Sequence, residues 1–290
     1  MIIAKSFGTH DGAFHADDVT ACALLLVFQL IDRDKIVRSR DLKKLATCEY
    51  VCDVGGIYDS KIKRFDHHQA EYHGDLSSAG MIWRYLKEKK VVDPEVYHFL
   101  NRMLIEGVDA HDNGRVDYEM GWCSFSHVIS NFVPPHYDAS DQEQYNAFLQ
   151  AVDFVVGHLQ RQLERYHYIR SCREAVFDAM QPRKKYLYFE KAIPWIESFF
   201  DLGGEEHPAQ FVIMPAKEHW KLRGIAPNLE HRMQVRNPLP EKWAGLQNEE
   251  LEKISGISGA VFCHKGRFVS VWETKEDAFT ALRYILGEDL

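Results

Sequence analysis

Lys63-Arg64-Phe65-Asp66-His67-His68-Gln69 closes a short strand-like run on one carboxylate and two imidazoles, and a little upstream Tyr50-Val51-Cys52-Asp53 closes another on a carboxylate. Short apolar runs bounded by turn formers such as Gly55-Gly56 read as buried strands. Two such ends side by side deliver the mixed Asp and His donors that a divalent metal pair requires. The same arrangement opens the chain, where a strand over residues 2–7 leads to His10, His15 and Asp17. A fourth cluster, Gly107-Val108-Asp109-Ala110-His111-Asp112-Asn113-Gly114, lies just past a helical pattern over residues 93–105. In an open α/β sheet, ligands bind in the crevice outside the carboxyl ends of the strands, and that is where these groups fall.

Strands are expected over residues 2–7, 35–38, 50–54 and 63–66, with a helix over 17–30 between the first two. This alternation predicts a mostly parallel sheet flanked by helices. Asp17 or Asp18 suits the first turn of that helix as an acid against the macrodipole, so a capping role competes with a ligand role for Asp17. Ser77-Ser78-Ala79-Gly80 opens a further helix; the serines serve as caps, or their hydroxyls and the exposed N–H groups hold a phosphate oxygen. Beyond Pro134-Pro135, apolar residues Phe148, Val152, Val155, Val156, Leu159 and Leu163 recur at helical spacing and predict a long helical stretch over 141–180, ended by Gln181-Pro182. Strands over 186–189, 210–214, 220–225, 260–264 and 267–272, with helices over 193–200 and 275–286, make a smaller mixed-sheet α/β lobe. The expected organisation is α/β and two-lobed: a metal-binding catalytic domain at 1–135, a helical linker at 136–182 and a substrate-binding domain at 183–290.

The 290 residues exceed what a single small core needs. With 46% hydrophobic and 27% charged residues the composition is that of a soluble globular protein, and no apolar run approaches a membrane span. Neither a basic N-terminal stretch nor a cleavage site precedes the first strand, which predicts a cytoplasmic address without membrane partners. Cysteines at 22, 48, 52, 123, 172 and 263 form no Cys-x-x-Cys pair and read as reduced thiols rather than a zinc site. The net charge is −8, and the acidic excess lies almost wholly before residue 183. That balance disfavours a duplex-coating DNA binder, while a short single strand or a nucleotide remains compatible with metals and a few local cations.

Taken together, His10, His15, Asp17, Asp53, Asp66, His67, His68 and Asp109 give eight potential ligands from four strand-end loops. Carboxylate mixed with imidazole suits two manganese ions, with Mg2+, Co2+, Fe2+ and Zn2+ as competitors. Water activated between two metals is a strong nucleophile at neutral pH, and phosphoester or anhydride hydrolysis is the natural reaction.

The Asp66-His67-His68 triplet, Asp53 behind its strand, the first cluster ending in Asp17, and Asp109 resemble the DHH phosphoesterase superfamily, which includes RecJ-type nucleases, oligoribonucleases and family II pyrophosphatases. More narrowly, Thr9-His10-Asp11-Gly12-Ala13-Phe14-His15-Ala16-Asp17, Arg64-Phe65-Asp66-His67-His68-Gln69, Leu76-Ser77-Ser78-Ala79-Gly80, Asp109-Ala110-His111-Asp112-Asn113-Gly114, Trp243-Ala244-Gly245-Leu246 and Gly256-Ile257-Ser258-Gly259-Ala260-Val261-Phe262-Cys263-His264 resemble the melanocyte-proliferating gene family, also labelled metal-dependent protein hydrolases. The resemblance implies a two-lobed DHH-type fold with manganese in the first lobe and, for the eukaryotic members, a 3′ to 5′ exonuclease acting on RNA. By motif position it implies that Asp53 bridges the metals, His10 and His15 sit on one, and Asp17, His67 and Asp109 on the other. His68 would then face the substrate phosphate and Asp66 would orient His67, so that Asp53, Asp66 and His68 form the catalytic set. The first motif departs from the superfamily's His-x-x-x-Asp-x-Asp, since four residues separate His10 from His15 and an imidazole replaces one carboxylate.

The second lobe is expected to bring positive charge to the substrate through Arg223, Arg236, His264 and Arg267, alongside Ser77 and Ser78 in the first. Lys265-Gly266-Arg267 reads equally as a solvated hairpin tip. The leading expectation is a metal-dependent phosphodiesterase trimming single-stranded RNA or a short oligonucleotide. The alternatives are a hydrolase of pyrophosphate, cyclic dinucleotides or nucleotides, a metal-dependent amidase, and a non-catalytic metal-containing binding protein.

Overall fold

The structure, a computed structural model, describes residues 1–117 and 119–287. Position 118, in the first expected domain, and the last three positions of the third lie outside the described residues. Two compact units divide between Tyr166 and His167. It is an α/β fold with two sheet-containing lobes separated by a long helical segment.

In the first unit, strand β1 (Ile3–Thr9) is exposed at its start and buried from Ser6 onward. It lies between β2 (Ile36–Arg38) and β3 (Cys48–Cys52), and β3 is followed across the sheet by β5 (Arg64–Phe65) and the edge strand β4 (Tyr58–Asp59). The β1/β2, β1/β3 and β3/β5 pairings are parallel and only β4 runs antiparallel, so the sheet is mostly parallel, as its alternation with helices predicts. Helix α1 (Ala16–Val27) provides the crossover from β1 to β2 that a parallel pair requires. It starts where the Asp18 side chain accepts the His15 backbone N–H at 2.9 Å, and it is buried from Ala16 through Leu25.

The short α2 (Leu42–Leu45) is capped by Asp41, which accepts from the Lys43 amide. Helix α3 (Ser78–Glu88) packs against α1. Asp93 caps α4 (Pro94–Leu100), where proline loses no helical hydrogen bond. The helix expected to stop at residue 105 instead continues: α4 passes through a π-helical turn, Asn101–Ile105, into α5 (Glu106–Asp112). The fourth cluster is therefore carried on a helix rather than on a loop beyond one, and the π turn resets the phase of the ligand-bearing residues. Helix α6 (Phe125–Ser130) follows. In α7 (Asp141–Ser171) the apolar stripe Phe148, Ala151, Val152, Val155 and Leu159 seals the first core beside Phe7, Leu24, Phe65 and Trp83. The larger of these side chains each contribute about 1.5–3 kcal/mol when fully buried. This is why the division between units falls inside α7.

The helical stretch expected over 141–180 is made of two helices, since Cys172 interrupts it and α8 (Arg173–Met180) begins there. The second unit then builds β6 (Tyr186–Tyr188), α9 (Ile196–Asp201), β7 (Phe211–Ala216), β8 (His219–Gly224), α10 (Asn248–Ser255), β9 (Ala260–Cys263), β10 (Val269–Trp272) and α11 (Lys275–Leu286). Its strand order is β6-β7-β8-β10-β9, with β6 and β7 parallel and the other pairs antiparallel, the mixed sheet expected. No helix among the described residues is long and apolar enough to cross a membrane.

Candidate metal centre

β1, β3 and β5 end together because they are parallel neighbours, and the residues that follow each end are His10, Asp53 and Asp66-His67-His68. Asp53 leaves β3 with φ +58, in the left-handed region that costs a non-glycine residue of order 1–3 kcal/mol. Gly55 and Gly56, with φ of +100 and +66, then turn the chain so that the Gly56 amide donates to Asp66 Oδ2 at 2.6 Å. The loop carrying His10 and His15 is held from the side. Arg38 donates to the Gly12 carbonyl at 2.7 Å and to the Gln144 carbonyl at 3.2 Å, with its guanidinium over the Phe148 ring.

Asp53 sits at the centre. Its Oδ2 lies 3.2 Å from His10 Nε2, while its Oδ1 lies 3.5 Å from His67 Nε2 and 3.3 Å from His68 Nδ1. His10 is oriented by its other nitrogen, which is 2.8 Å from the Asp11 carbonyl; with Nδ1–H donated there, the Nε2 lone pair is the one aimed at Asp53. His67 Nε2 faces three carboxylates: Asp112 at 3.0 Å, Asp53 at 3.5 Å and Asp17 at 3.9 Å. Four overlapping triplets have donor atoms within 4.8 Å of one another: His10, His15 and Asp53; Asp53, His67 and His68; His15, Asp17 and Asp112; and Asp17, Asp18 and Asp53. Asp53 belongs to three of these and Asp17 to two, as a shared carboxylate between two positions would.

The electrostatics agree. Burial, and then the charges of Asp53, Asp112 and Asp18, push the Asp17 carboxyl well above its ordinary range. Burial also raises Asp18, to about 6, against the opposing pull of His10. Asp53 is likewise disfavoured by burial, but the adjacent His10 and His67 imidazoles outweigh this and hold it below the usual carboxylate range. Burial lowers His67, yet Asp112 and Asp53 reverse the effect and raise it. The residues fit divalent metal on a direct observation: both Asp17 oxygens, Asp53 Oδ1 and His67 Nε2 are buried without a hydrogen-bond partner in the fold. Buried polar atoms are almost always partnered, and a buried carboxylate with neither oxygen bonded is among the costliest exceptions. A cation is the group that the four carboxylates and four imidazoles of these triplets would accept.

Beside this cluster opens a cavity of about 710 Å³, lined by His10, His15, Arg40, Asp53, Asp66 and His68 among others. The His68 side chain is 63% exposed to it, its Nδ1 held 2.8 Å from Asp66 Oδ1, so that Nε2 is the nitrogen left for a substrate. Two expected roles change here. Asp66 orients His68 rather than His67, because the backbone turn brings both the amide and the ring of His68 onto Asp66 Oδ1. Asp109 is in none of the four triplets: its Oδ1 accepts from the Ser77 amide at 3.0 Å, the Ser77 hydroxyl at 2.6 Å and the Gly80 amide at 3.1 Å, capping α3. Asp112, one helical turn on, takes the place beside His67.

Several expected substrate contacts are already engaged within their own unit. Ser77 is spent on Asp109, and the Ser78 hydroxyl donates to the Phe65 carbonyl at 2.8 Å; both serines are fully buried. Arg236 donates to the carbonyls of His207, Ala209, Gly204 and Ala226, among others, and so clamps backbone inside the second unit. His264 orders the β9–β10 hairpin, its Nδ1 accepting from the Gly266 amide at 2.9 Å, with Arg267 at the same tip. Arg223 lies half-buried on β8 near Trp195 and Phe200. Asp112, Asp18 and Arg40 were not expected at the site. The quoted fourth motif contains Asp112, but only the phase of α5 selects it over Asp109.

A profile described as an uncharacterised protein family (UPF0160) matches residues 6–284. The chain is 53% identical to the MYG1 protein of Chlamydia pneumoniae, over 99% of each chain. It is 31% identical to the MYG1 exonuclease of Homo sapiens, over 99% of this chain and 87% of that one. Among solved structures it is similar to RecJ in complex with Mn2+ from Thermus thermophilus, with a TM-score of 0.30 and 13% identity, spanning 99% of this chain and 53% of the RecJ chain.

Proposed function

The chain belongs to the MYG1 family, and from that membership and the cluster around Asp53 we propose that it is a metal-dependent phosphodiesterase of the DHH type that trims single-stranded RNA or short oligonucleotides from the 3′ end. The observation that carries this reading is the pair of oxygens of one buried carboxylate, Asp53, turned to His10 on one side and to His67 and His68 on the other. His10, His15, Asp17, Asp53, His67 and Asp112 would hold two divalent ions, manganese in view of the mixed imidazole and carboxylate donors. Such a pair supplies a polarised phosphoryl oxygen and an activated water at neutral pH.

The chain's own groups would do the rest. His10 is fixed through Nδ1 by the Asp11 carbonyl, so its orientation is set before substrate arrives. His68 presents Nε2 to the phosphate from the cavity wall, while Asp66 fixes its ring. The relatives named MYG1 exonuclease supply the direction of the proposal toward nucleic acid. All six cysteines are free, in keeping with the reducing cytoplasmic setting we propose.

A 5′-labelled RNA oligonucleotide incubated with the full chain and manganese tests the reading. A ladder shortening from the 3′ end, lost with a chelator and in Asp53→Asn, is expected. A manganese-loaded protein that leaves RNA intact would overturn it.

A further inference from the structure

We propose that Arg40 binds an anionic phosphate oxygen of the substrate at the mouth of the cavity, an assignment that rests on the phosphoesterase reading. The sheet register places it there. Thr9 of β1 is paired with Arg38 of β2 in parallel, so two residues further on Arg40 comes level with Asp11, just past the ends of both strands. Arg40 Nε lies 3.2 Å from Asp11 Oδ1, and Nη2 lies 3.5 Å from His10 Nδ1. The guanidinium is thus one imidazole ring away from Asp53, which His10 meets through its other nitrogen.

The charge around it explains what it is for. Arg40 is the only lysine or arginine lining the cavity among the described residues, where Asp11, Asp53 and Asp66 contribute carboxylates. An anionic ester approaching this wall is repelled by the acids and drawn only to Arg40 and to cations held by the cluster. Its neighbour Arg38 cannot serve, being committed to two carbonyls and two aromatic rings. Arg40 is not so committed: its side chain is 68% exposed, and its ion pair with the half-exposed Asp11 is of the kind worth only about 0–1 kcal/mol. A phosphate offers the same planar fork two oxygens at once, and is the better partner.

The test is a calorimetric titration of inorganic phosphate into the manganese-loaded full chain and its Arg40→Gln and Arg40→Lys variants, each also titrated with manganese alone. The expected result is a phosphate Kd about tenfold to a hundredfold higher in Arg40→Gln, an intermediate value in Arg40→Lys, which keeps charge but not the fork, and unchanged manganese binding in both. Equal phosphate affinity in wild type and Arg40→Gln would overturn the assignment, as would wild type that fails to bind phosphate. Loss of manganese in Arg40→Gln would overturn it too, by showing that Arg40 supports the metal ligands instead. Phosphate bound through Arg40 by a protein that cleaves no RNA would leave this assignment standing and sink the nuclease reading alone.

Discussion

Replacing Asp109 by alanine should loosen α3 at its N-terminus and leave the metal centre loaded. The magnitude follows from what Asp109 Oδ1 accepts: two buried amides, of Ser77 and Gly80, and the Ser77 hydroxyl. The hydroxyl can rotate to another acceptor, but the two amides would be left buried and unpaired at about 1–3 kcal/mol each. Burial raises the Asp109 carboxyl above its ordinary value despite the hydrogen bonds from Ser77 and Gly80, so removing its charge returns part of this cost. A net loss of roughly 2–4 kcal/mol is expected for Asp109→Ala. Asp109→Asn keeps an acceptor oxygen without the charge and should stay close to wild type. Gly80→Ala should resemble Asp109→Ala, because a Cβ there would overlap both Asp109 oxygens. Urea unfolding measures the stabilities, and manganese titration of the folded proteins measures the metal. Asp112→Asn should show the reverse pattern, wild-type stability with weakened manganese binding. Asp109→Asn that stays stable but loses manganese would refute the reasoning and return Asp109 to the ligand set.

Three further outcomes follow from other hydrogen bonds of the fold. Asp66→Ala and His68→Ala should each lower the turnover of RNA by about tenfold to a hundredfold with manganese retained, and the double variant should be no worse than His68→Ala; additive losses would mean that Asp66 acts elsewhere. Arg236→Met should destabilise the second unit by about 2–4 kcal/mol in urea while leaving RNA affinity unchanged, and a fall in RNA affinity at unchanged stability would restore it as a substrate contact. His207 is buried, with Nε2 2.9 Å from the Met180 carbonyl and Nδ1 accepting from the Ala209 amide, so it is held neutral and burial lowers its pKa below the ordinary 6.5. Its contribution to stability is therefore complete above pH 6.5 and is lost as pH falls from there toward its depressed folded value. Melting curves between about pH 7.5 and 5.5 should show wild type losing more stability than His207→Gln, and parallel losses would remove His207 as the cause.

Much of the site was legible because parallel strands advertise their ends. The apolar runs before His10, Asp53 and Asp66 stop abruptly at polar or glycine residues, and in a parallel sheet those stops must lie at one edge. The second sheet was equally plain from its short strand-like runs, and the helix expected over 275–286 is α11, which Thr274 caps. What periodicity could not carry was phase across an irregularity. The π turn at Asn101–Ile105 inserts itself in a stretch that reads as regular helix, and everything after it is rotated, so the choice between Asp109 and Asp112 was lost at that point.

The remaining differences share one physical cause: a sequence shows which side chains can donate, accept or carry charge, but not which are already satisfied by backbone. Ser77, Ser78 and Arg236 have the chemistry of phosphate binders, and the fold spends each on a carboxylate or a backbone carbonyl. Nothing in the sequence sets Arg40 apart from Arg38, yet of the two it is the one the backbone leaves unspent. Asp17 and Asp109 make the contrast sharpest. Both are buried carboxylates that burial pushes above their ordinary pKa, and both stood in the expected ligand set. Asp109 receives three donors on one oxygen, which stabilise its charge and leave a cation little to add. Asp17 receives none on either oxygen and faces three other carboxylates, so its ionised form is tolerable only with a cation beside it.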